Sequence, residues 1–262
     1  MSGWFGVLLT VALAAALTFL TLPIVAIFAQ QPPGDLLEAL GDEGALDALW
    51  LSLRTTAAAL LLILTVGTPA AYLLATRRFH GRAALITLIE LPLVLPPAVA
   101  GIALLAAVGP STVLGQAAAD AGLQLTLATA GVVVALTFVA APFYMRQAIA
   151  AFEAVDPTLL DASRTLGASP ARTFARVAIP TALPGLVAGT ALALGRALGE
   201  FGATLMFAGS FQGVTQTVPL AIYDRFSTDF TAALALSAVL VAVSAAILLS
   251  VKLVRGPNAV TR

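Results

Sequence analysis

Six apolar runs dominate the chain, at about residues 4–29, 49–75, 84–108, 125–145, 181–205 and 232–251. Each is long enough to cross a hydrocarbon layer as helix, which takes ~20 residues. A helix is also the open-ended element whose backbone polar groups are satisfied without water. The pattern predicts an all-α membrane protein of about six transmembrane helices, folded as a single domain over 1–262. The connections are short, with two exceptions. The segment QQPPGDLLEALGDEGALDALW, between runs one and two, reads as an exposed acidic loop with a short amphipathic helix over 35–40. The segment between runs four and five, about 153–180, is polar, basic and long.

Local signals divide that last segment in two. Asp156 suits a helix N-cap and Pro157 the first helical position, so a short helix is expected through Leu159, Leu160 and Ala162. Gly167 can take the left-handed backbone that ends it, and Ser169-Pro170 repeats the start signal for a second helix. Pro180 and Pro184 are expected to close that second helix before run five. On these signals alone the element is a surface helical hairpin or a docking element. Run three carries Pro92, Pro96 and Pro97; each proline removes a backbone donor and crowds the preceding turn, so this span must be broken or sharply bent. Broken backbone at membrane depth survives when buried in protein or facing a water-filled cavity. In run five, Gly185/Gly189 and Gly195/Gly199 recur four apart and predict close approach of another helix. Gly199 and Gly202 flank Glu200 and weaken the helix there.

Composition agrees with a bilayer protein: 60% of residues are hydrophobic, 10% are charged, and mean hydropathy is +1.01, against about 25% charged in soluble domains. The formal net charge is zero, which gives no argument for nucleic acid. The amino terminus lacks a basic region and its apolar run exceeds a signal peptide's, so it is expected to be an uncleaved first span. Arg77, Arg78, Arg82, Arg146, Arg164, Arg172, Arg176, Lys252, Arg255 and Arg262 fall on one set of connections and only Arg225 on the other. That bias puts both termini and segment 153–180 in the cytoplasm.

Four charges fall inside the runs: Arg54, Glu90, Arg196 and Glu200. Isolated burial costs at least ~2.5 kcal/mol, so pairing is expected. Arg196 precedes Glu200 by four, the weaker orientation of an intrahelical pair. A contact between Arg54 and Glu200 is therefore expected, unless Arg54 reaches the outer interface instead. Catalytic chemistry is missing. The sequence has no cysteine, one histidine (His80), and one lysine (Lys252) that lies in no phosphate-binding loop. Neither a metal cluster nor a catalytic triad can be built, and no catalytic or metal residue is assigned.

Asp161-Ala162-Ser163, three residues, Gly167, nine residues, then Val177-Ala178-Ile179-Pro180 resembles the EAA loop of ABC importer permeases. Asp161, Ser163, Val177 and Ile179 depart from the usual Glu, Ala, Ile and Leu, with the spacing intact. LPLVLPPAVAG (91–101), FEAVDPTLLDASRTLGAS (152–169), RALGEFGATLMFAG (196–209) and TQTVPLAIY (215–223) together resemble the permease subunits of molybdate, tungstate and sulfate importers. Ala98 stands where such permeases usually carry Thr after the paired prolines. The resemblance implies that Asp161, Ala162, Ser163, Arg164, Gly167 and Ala168 couple to a separate ATP-binding cassette ATPase, which holds the ATP and Mg. It implies that Pro96, Pro97, Arg196, Glu200, Phe201 and Thr204 shape the translocation path or gate, and that this chain carries no cofactor. Arg196 is the candidate cation beside an oxyanion's route. Segment 215–223 is implied to lie near an extracytoplasmic solute-binding protein. The resemblance further implies that a second permease copy, a homodimer for molybdate, completes the path in a bacterial or archaeal inner membrane, among its lipids. A sulfate or thiosulfate permease is the alternative within the class, and an ion-coupled secondary transporter the alternative outside it, since that too would show broken helices and intramembrane charges.

Overall fold

The structure, a computed structural model, describes residues 3–30, 34, 38, 41 and 43–254; the short helix expected over 35–40 lies mostly outside them. Among the described residues the chain is helix joined by turns, without strands. The long apolar runs appear as α1 (Trp4–Ala29), α2 (Glu43–Thr76), α6 (Thr129–Glu153), α8 (Pro170–Leu198) and α11 (Phe230–Val254). Run three is a bent pair, α3 (Arg82–Val94) and α4 (Pro97–Val108), whose axes differ by 120°. Shorter helices fill the connections: α5 (Val113–Asp120), α7 (Pro157–Thr165), α9 (Gly202–Ala208) and α10 (Val218–Phe226).

At the centre, α2, α6 and α8 share one apolar core that includes Ala59, Ile63, Leu136, Ala140, Tyr144, Ala182 and Leu186. Close approach of α6 and α8 rests on glycine, as the small-residue spacing predicts. A Cβ at Gly185 would lie 2.4 Å from the Cβ of Ala151, and one at Gly189 would lie 3.1 Å from the carbonyl oxygen of Tyr144. The pairs 185/151 and 189/144 run in opposite directions along the chain, so the two helices are antiparallel. Gly195 faces nothing within 4 Å, and Gly199 meets only the carbonyl of Gly195, so the second glycine pair does not seat a helix of this chain. The Tyr144 hydroxyl shares a 2.6 Å hydrogen bond with Thr68 of α2, which satisfies a polar group that would be costly to bury alone. α10 and the first turns of α11 pack on the start of α2 through Val218, Ala221, Leu236, Ala45 and Ala48. α1 has no buried residue.

Three boundaries differ from the sequence expectation. α6 continues to Glu153 rather than stopping at Met145, so the polar connection shrinks to 154–169. The second helix of that connection does not close at Pro180 and Pro184 but runs on into the span. A π-helical turn at Phe174–Ala178 widens the spiral just ahead of Pro180, relieving the clash and missing bond that proline brings to a regular turn. Run five stops at Leu198, breaks over Gly199–Phe201 and resumes as α9.

Candidate functional site

The first candidate region is a corner between α7 and α8. Asp156 accepts a 2.9 Å hydrogen bond from the Thr158 backbone N–H, and Pro157 opens α7. Gly167 has φ +80, and its N–H donates to the Arg164 carbonyl at 2.9 Å while that of Ala168 donates to Ser163 at 3.1 Å. This is the paired 5→2 and 6→1 closure of a Schellman turn. Ser169 caps α8 by accepting from the Arg172 N–H at 3.3 Å. The hydroxyls of Ser163 and Thr173 lie 3.0 Å apart and tie the two helices.

Asp161, Ala162, Arg164 and Gly167 are exposed; Ser163 and Ala168 are half-buried. Asp161 pairs with Arg164 at 3.0 Å. Leu160 alone of α7 is buried against the bundle. On the other side Leu159, Ala162 and Leu166 stand exposed, Leu166 at 88%. That spacing of three and four makes one apolar stripe directed away from the chain's own core. Behind the corner, Tyr72, Phe152 and Phe174 stack with centroid separations of 4.7 to 6.2 Å and join α2, α6 and α8. The sequence reading missed this cluster, because its members are about 80 and 20 residues apart and carry no common motif.

The second region lies at the far end of α8, about 43 Å from the corner for 29 residues at 1.5 Å each. Here two helix breaks abut. The α3–α4 break passes through extended backbone at Leu95 (ψ 132) and Pro96 (ψ 136). The α8–α9 break passes through Gly199, Glu200 and Phe201. A Cβ at Gly202 would lie 2.8 Å from the Cβ of Pro97, and one at Gly101 would lie 2.6 Å from the Cβ of Met206 and 2.7 Å from the Ala203 carbonyl oxygen. Each break is thus seated on the other, and Ala100, Leu104, Ala203 and Phe207 close the contact against Ala135 and Val139 of α6.

Glu200 is 1% exposed. One carboxylate oxygen accepts a 2.7 Å hydrogen bond from the Ala203 N–H and so caps α9; the other pairs with Arg196. This corrects the expected Arg54–Glu200 contact: Arg54 is exposed and forms no ion pair among the described residues. The two are four apart with Arg first, the less favourable order for an intrahelical pair, and the glutamate sits in the break just past the end of α8. Glu90 pairs with Arg146 at 3.5 Å, a partnership the sequence left unassigned. Pro96 and Pro97 are exposed, while Thr204 is buried with no hydrogen-bond partner for its hydroxyl among the described residues. The Phe201 ring lies 5.0 Å from that of Tyr223, and both line an apolar recess of about 340 Å³ beside the break.

Segment 215–223 is more buried than its expected external role suggested. Thr215, Thr217, Val218, Leu220 and Ala221 are inside, and Ser52 of α2 accepts the Val218 N–H at 2.8 Å, capping α10 from another helix. Among the described residues no cluster of three potential metal ligands occurs.

Comparison with known proteins agrees with this architecture. Residues 63–255 match the family described as the binding-protein-dependent transport system inner membrane component. The chain is 43% identical over 237 residues to a molybdenum transport system permease protein of Mycobacterium tuberculosis, covering 90% of each. It is 40% identical over 182 residues to the corresponding protein of Escherichia coli, covering 69% of this chain and 80% of that one. Among solved structures, a bacterial ABC transporter that imports the acidic polysaccharide alginate superimposes with a TM-score of 0.75 at 18% identity, over 97% of this chain and 96% of that one.

Proposed function

This chain belongs to the binding-protein-dependent transport system inner membrane component family, and on that premise we propose that it is the permease subunit of an ATP-driven molybdate importer. The observation that carries the substrate is the 43% identity, over 90% of both chains, with a molybdenum permease. It is a multi-pass inner-membrane subunit without catalysis of its own. ATP and Mg act on a separate cassette ATPase, which docks on the α7–α8 corner. The outward stripe of Leu159, Ala162 and Leu166 supports that docking, since it meets nothing in this chain.

The charge distribution supports an inward-facing corner. Arg77, Arg78, Arg82, Arg164 and Arg172 gather at the end where α2 and α6 finish and α8 begins; Asp47, Asp224 and Asp229 gather at the other. The first end is cytoplasmic by the positive-inside bias. α11 starts beside the start of α2 and so ends at the cytoplasmic face. The amino terminus is on that face by parity of α1 with α2. A solute-binding protein delivers the ion at the opposite face, and a second copy of this chain completes the path as a homodimer.

The abutting breaks form the gate. In the present arrangement Pro97 sits on Gly202, and a movement of α8 relative to α3 and α4 parts them. Arg196, neutralised by Glu200, presents no net charge to a passing oxyanion, which suits a path that must release its ion as readily as it admits it. The test is uptake of labelled molybdate into proteoliposomes holding the permease, ATPase and binding protein, with tungstate and sulfate as competitors. ATP-dependent uptake resisted by tungstate and indifferent to sulfate is expected. Preferential uptake of sulfate or thiosulfate would move the chain to the sulfate permeases. Uptake by this chain alone in ATP-free vesicles would make it an ion-coupled secondary transporter and overturn the reading.

A further inference from the structure

The docking corner is joined covalently to only one of the two breaks. α8 leads from the corner to Gly199, but α3, which leads to the Leu95–Pro96 break, begins on a different connection. The structure nevertheless ties them. Arg82, the first residue of α3, donates through Nε to the Leu74 carbonyl oxygen at 2.6 Å, and its guanidinium pairs with Glu153, the last residue of α6. One side chain therefore joins the inner ends of α2, α3 and α6. Glu153 precedes Asp156, the cap of α7, by three residues. Further along, Glu90 of α3 meets Arg146 of α6. The pairs 82/153 and 90/146 keep the same antiparallel register, so α3 rides on α6 along two successive ionic contacts.

Ile86 and Ile89 pack α3 against the shared core further along, but at the first residue of α3 the ion pair bridges an opening. Between α7 and the turn that follows α2 lies a cavity of about 480 Å³, walled by Arg78, Arg82, Glu153, Asp161 and Arg164. A helix that moves against a cavity transmits little through van der Waals contact, because the lining atoms have no partners on that side. An ion pair reaches across the gap and pulls as well as pushes.

We propose that Arg82 and Glu153 are positioning residues that carry the displacement of the docking corner to the proline break, so that one corner drives both halves of the gate. The proposal rests on the reading as an ATP-driven permease. Motion entering at α7 travels along α8 to Glu200 and, through Glu153 and Arg82, along α3 to Pro96. Without the second route α8 moves against a stationary α4, and hydrolysis proceeds without full opening.

The experiment measures ATP hydrolysis and labelled oxyanion uptake in parallel, in proteoliposomes containing the full permease, its ATPase and the binding protein. The variants are Glu153→Gln, Arg82→Lys and the exchanged pair Arg82→Glu with Glu153→Arg. Glu153→Gln is isosteric and half-exposed, so the fold is retained. It should keep assembly and hydrolysis while the ions imported per ATP fall about five-fold or more, the lower range of a coupling between sites. Arg82→Lys keeps the charge but has no forked group to hold Leu74 and Glu153 together, and should fall part of the way. The exchanged pair restores the ion pair but leaves the Leu74 carbonyl without its donor from position 82, and should recover part of the ratio lost by Glu153→Gln. An unchanged ratio in Glu153→Gln overturns the proposal, as does a parallel loss of hydrolysis and uptake or a failure of the exchanged pair to recover. If the unmodified complex imports no oxyanion or needs no ATP, the functional reading itself fails, an outcome visible before any variant is compared.

Discussion

The docking corner and the abutting breaks are both interruptions of helix, yet they are built from opposite materials. The corner is local: every bond that shapes it lies within ten residues, from the Asp156 cap to the Ser163–Thr173 hydroxyl pair. It is largely exposed, and apart from the buried Leu160 its apolar side chains point away. The breaks are tertiary: Pro97 is shaped by Gly202, Gly101 by Ala203, and Glu200 is sealed from water. Under the proposed function, recognition falls where backbone grammar suffices and the barrier where packing decides. Damage to the breaks should therefore appear first as lost stability, and damage to the corner as lost coupling in a protein that remains folded.

Removing the Glu200 carboxylate should have the largest effect. Glu200→Ala leaves Arg196 without its partner and Ala203 without its cap, and breaking a buried pair from one side costs about 3 kcal/mol or more. Thermal unfolding of the purified chain in detergent should show it as a markedly lower Tm. Glu200→Gln separates the two roles, since the amide oxygen can still accept from Ala203. It should lose less than alanine, and equal losses would mean that the cap contributes nothing. Next comes Gly101→Val, which drives a branched side chain toward the Ala203 carbonyl only 2.7 Å from the new Cβ. Overpacking of this kind costs about 1–3 kcal/mol. The same change at Gly195, where nothing lies within 4 Å, should be close to neutral in the isolated chain. If the two positions behaved alike, the close seating of the breaks would not be what holds them.

The contrast also explains what could be read in advance. The apolar runs, the proline break and the corner were legible because each follows from covalent chemistry or from bonds to near neighbours. Asp156-Pro157, Gly167 and Ser169-Pro170 stand in the structure as their local signals specify. That Arg54 is not the partner of Glu200 was not legible, because it depends on the rotation of α2, which buries Ser52, Thr55 and Thr56 and turns Arg54 outward. The end of α6 was misjudged because the uninterrupted apolar run stops at Met145, whereas the helix continues with one face, Ala148, Ile149 and Phe152, buried in the core and Arg146 and Glu153 on its polar face. Pro180 was taken as a terminator because a local rule cannot anticipate a π turn held by burial of Ala178 and Ala182. At α6 and Pro180 tertiary packing overrode a local rule, whereas at Glu200 the near neighbour Arg196 prevailed over the distant Arg54.

At the corner, Gly167→Val should cost about 1–3 kcal/mol of local strain, since φ +80 excludes a branched residue although no atom lies within 4 Å of its Cβ. The chain should remain folded while the two helices splay. The measurement is the ratio of uptake to hydrolysis in the assembled transporter, which should drop well before any change in Tm. Gly167→Asn, which tolerates the left-handed region better, should recover much of that ratio. A valine variant with normal coupling would remove the glycine corner from the mechanism.

The smallest effect expected is at Asp156, and it is a pH effect. The Thr158 backbone N–H, with a lesser contribution from the Thr158 side chain, holds this carboxyl below its usual range. The folded state thus binds this proton less readily than the unfolded one. The cap's contribution is fully present above the ordinary carboxylate range and is lost as pH falls through the depressed value. Amide exchange in α7 should accordingly quicken at acid pH while exchange in α6 and α8 stays unchanged, because one exposed cap at the end of nine residues governs only its own helix. Asp156→Asn retains a side-chain acceptor without a titrating group. It should flatten the pH dependence of α7 while leaving its exchange at neutral pH nearly as slow. If the asparagine variant kept the acid-induced opening, the titrating group would lie elsewhere, and the corner would not be the self-contained local structure that distinguishes it from the breaks.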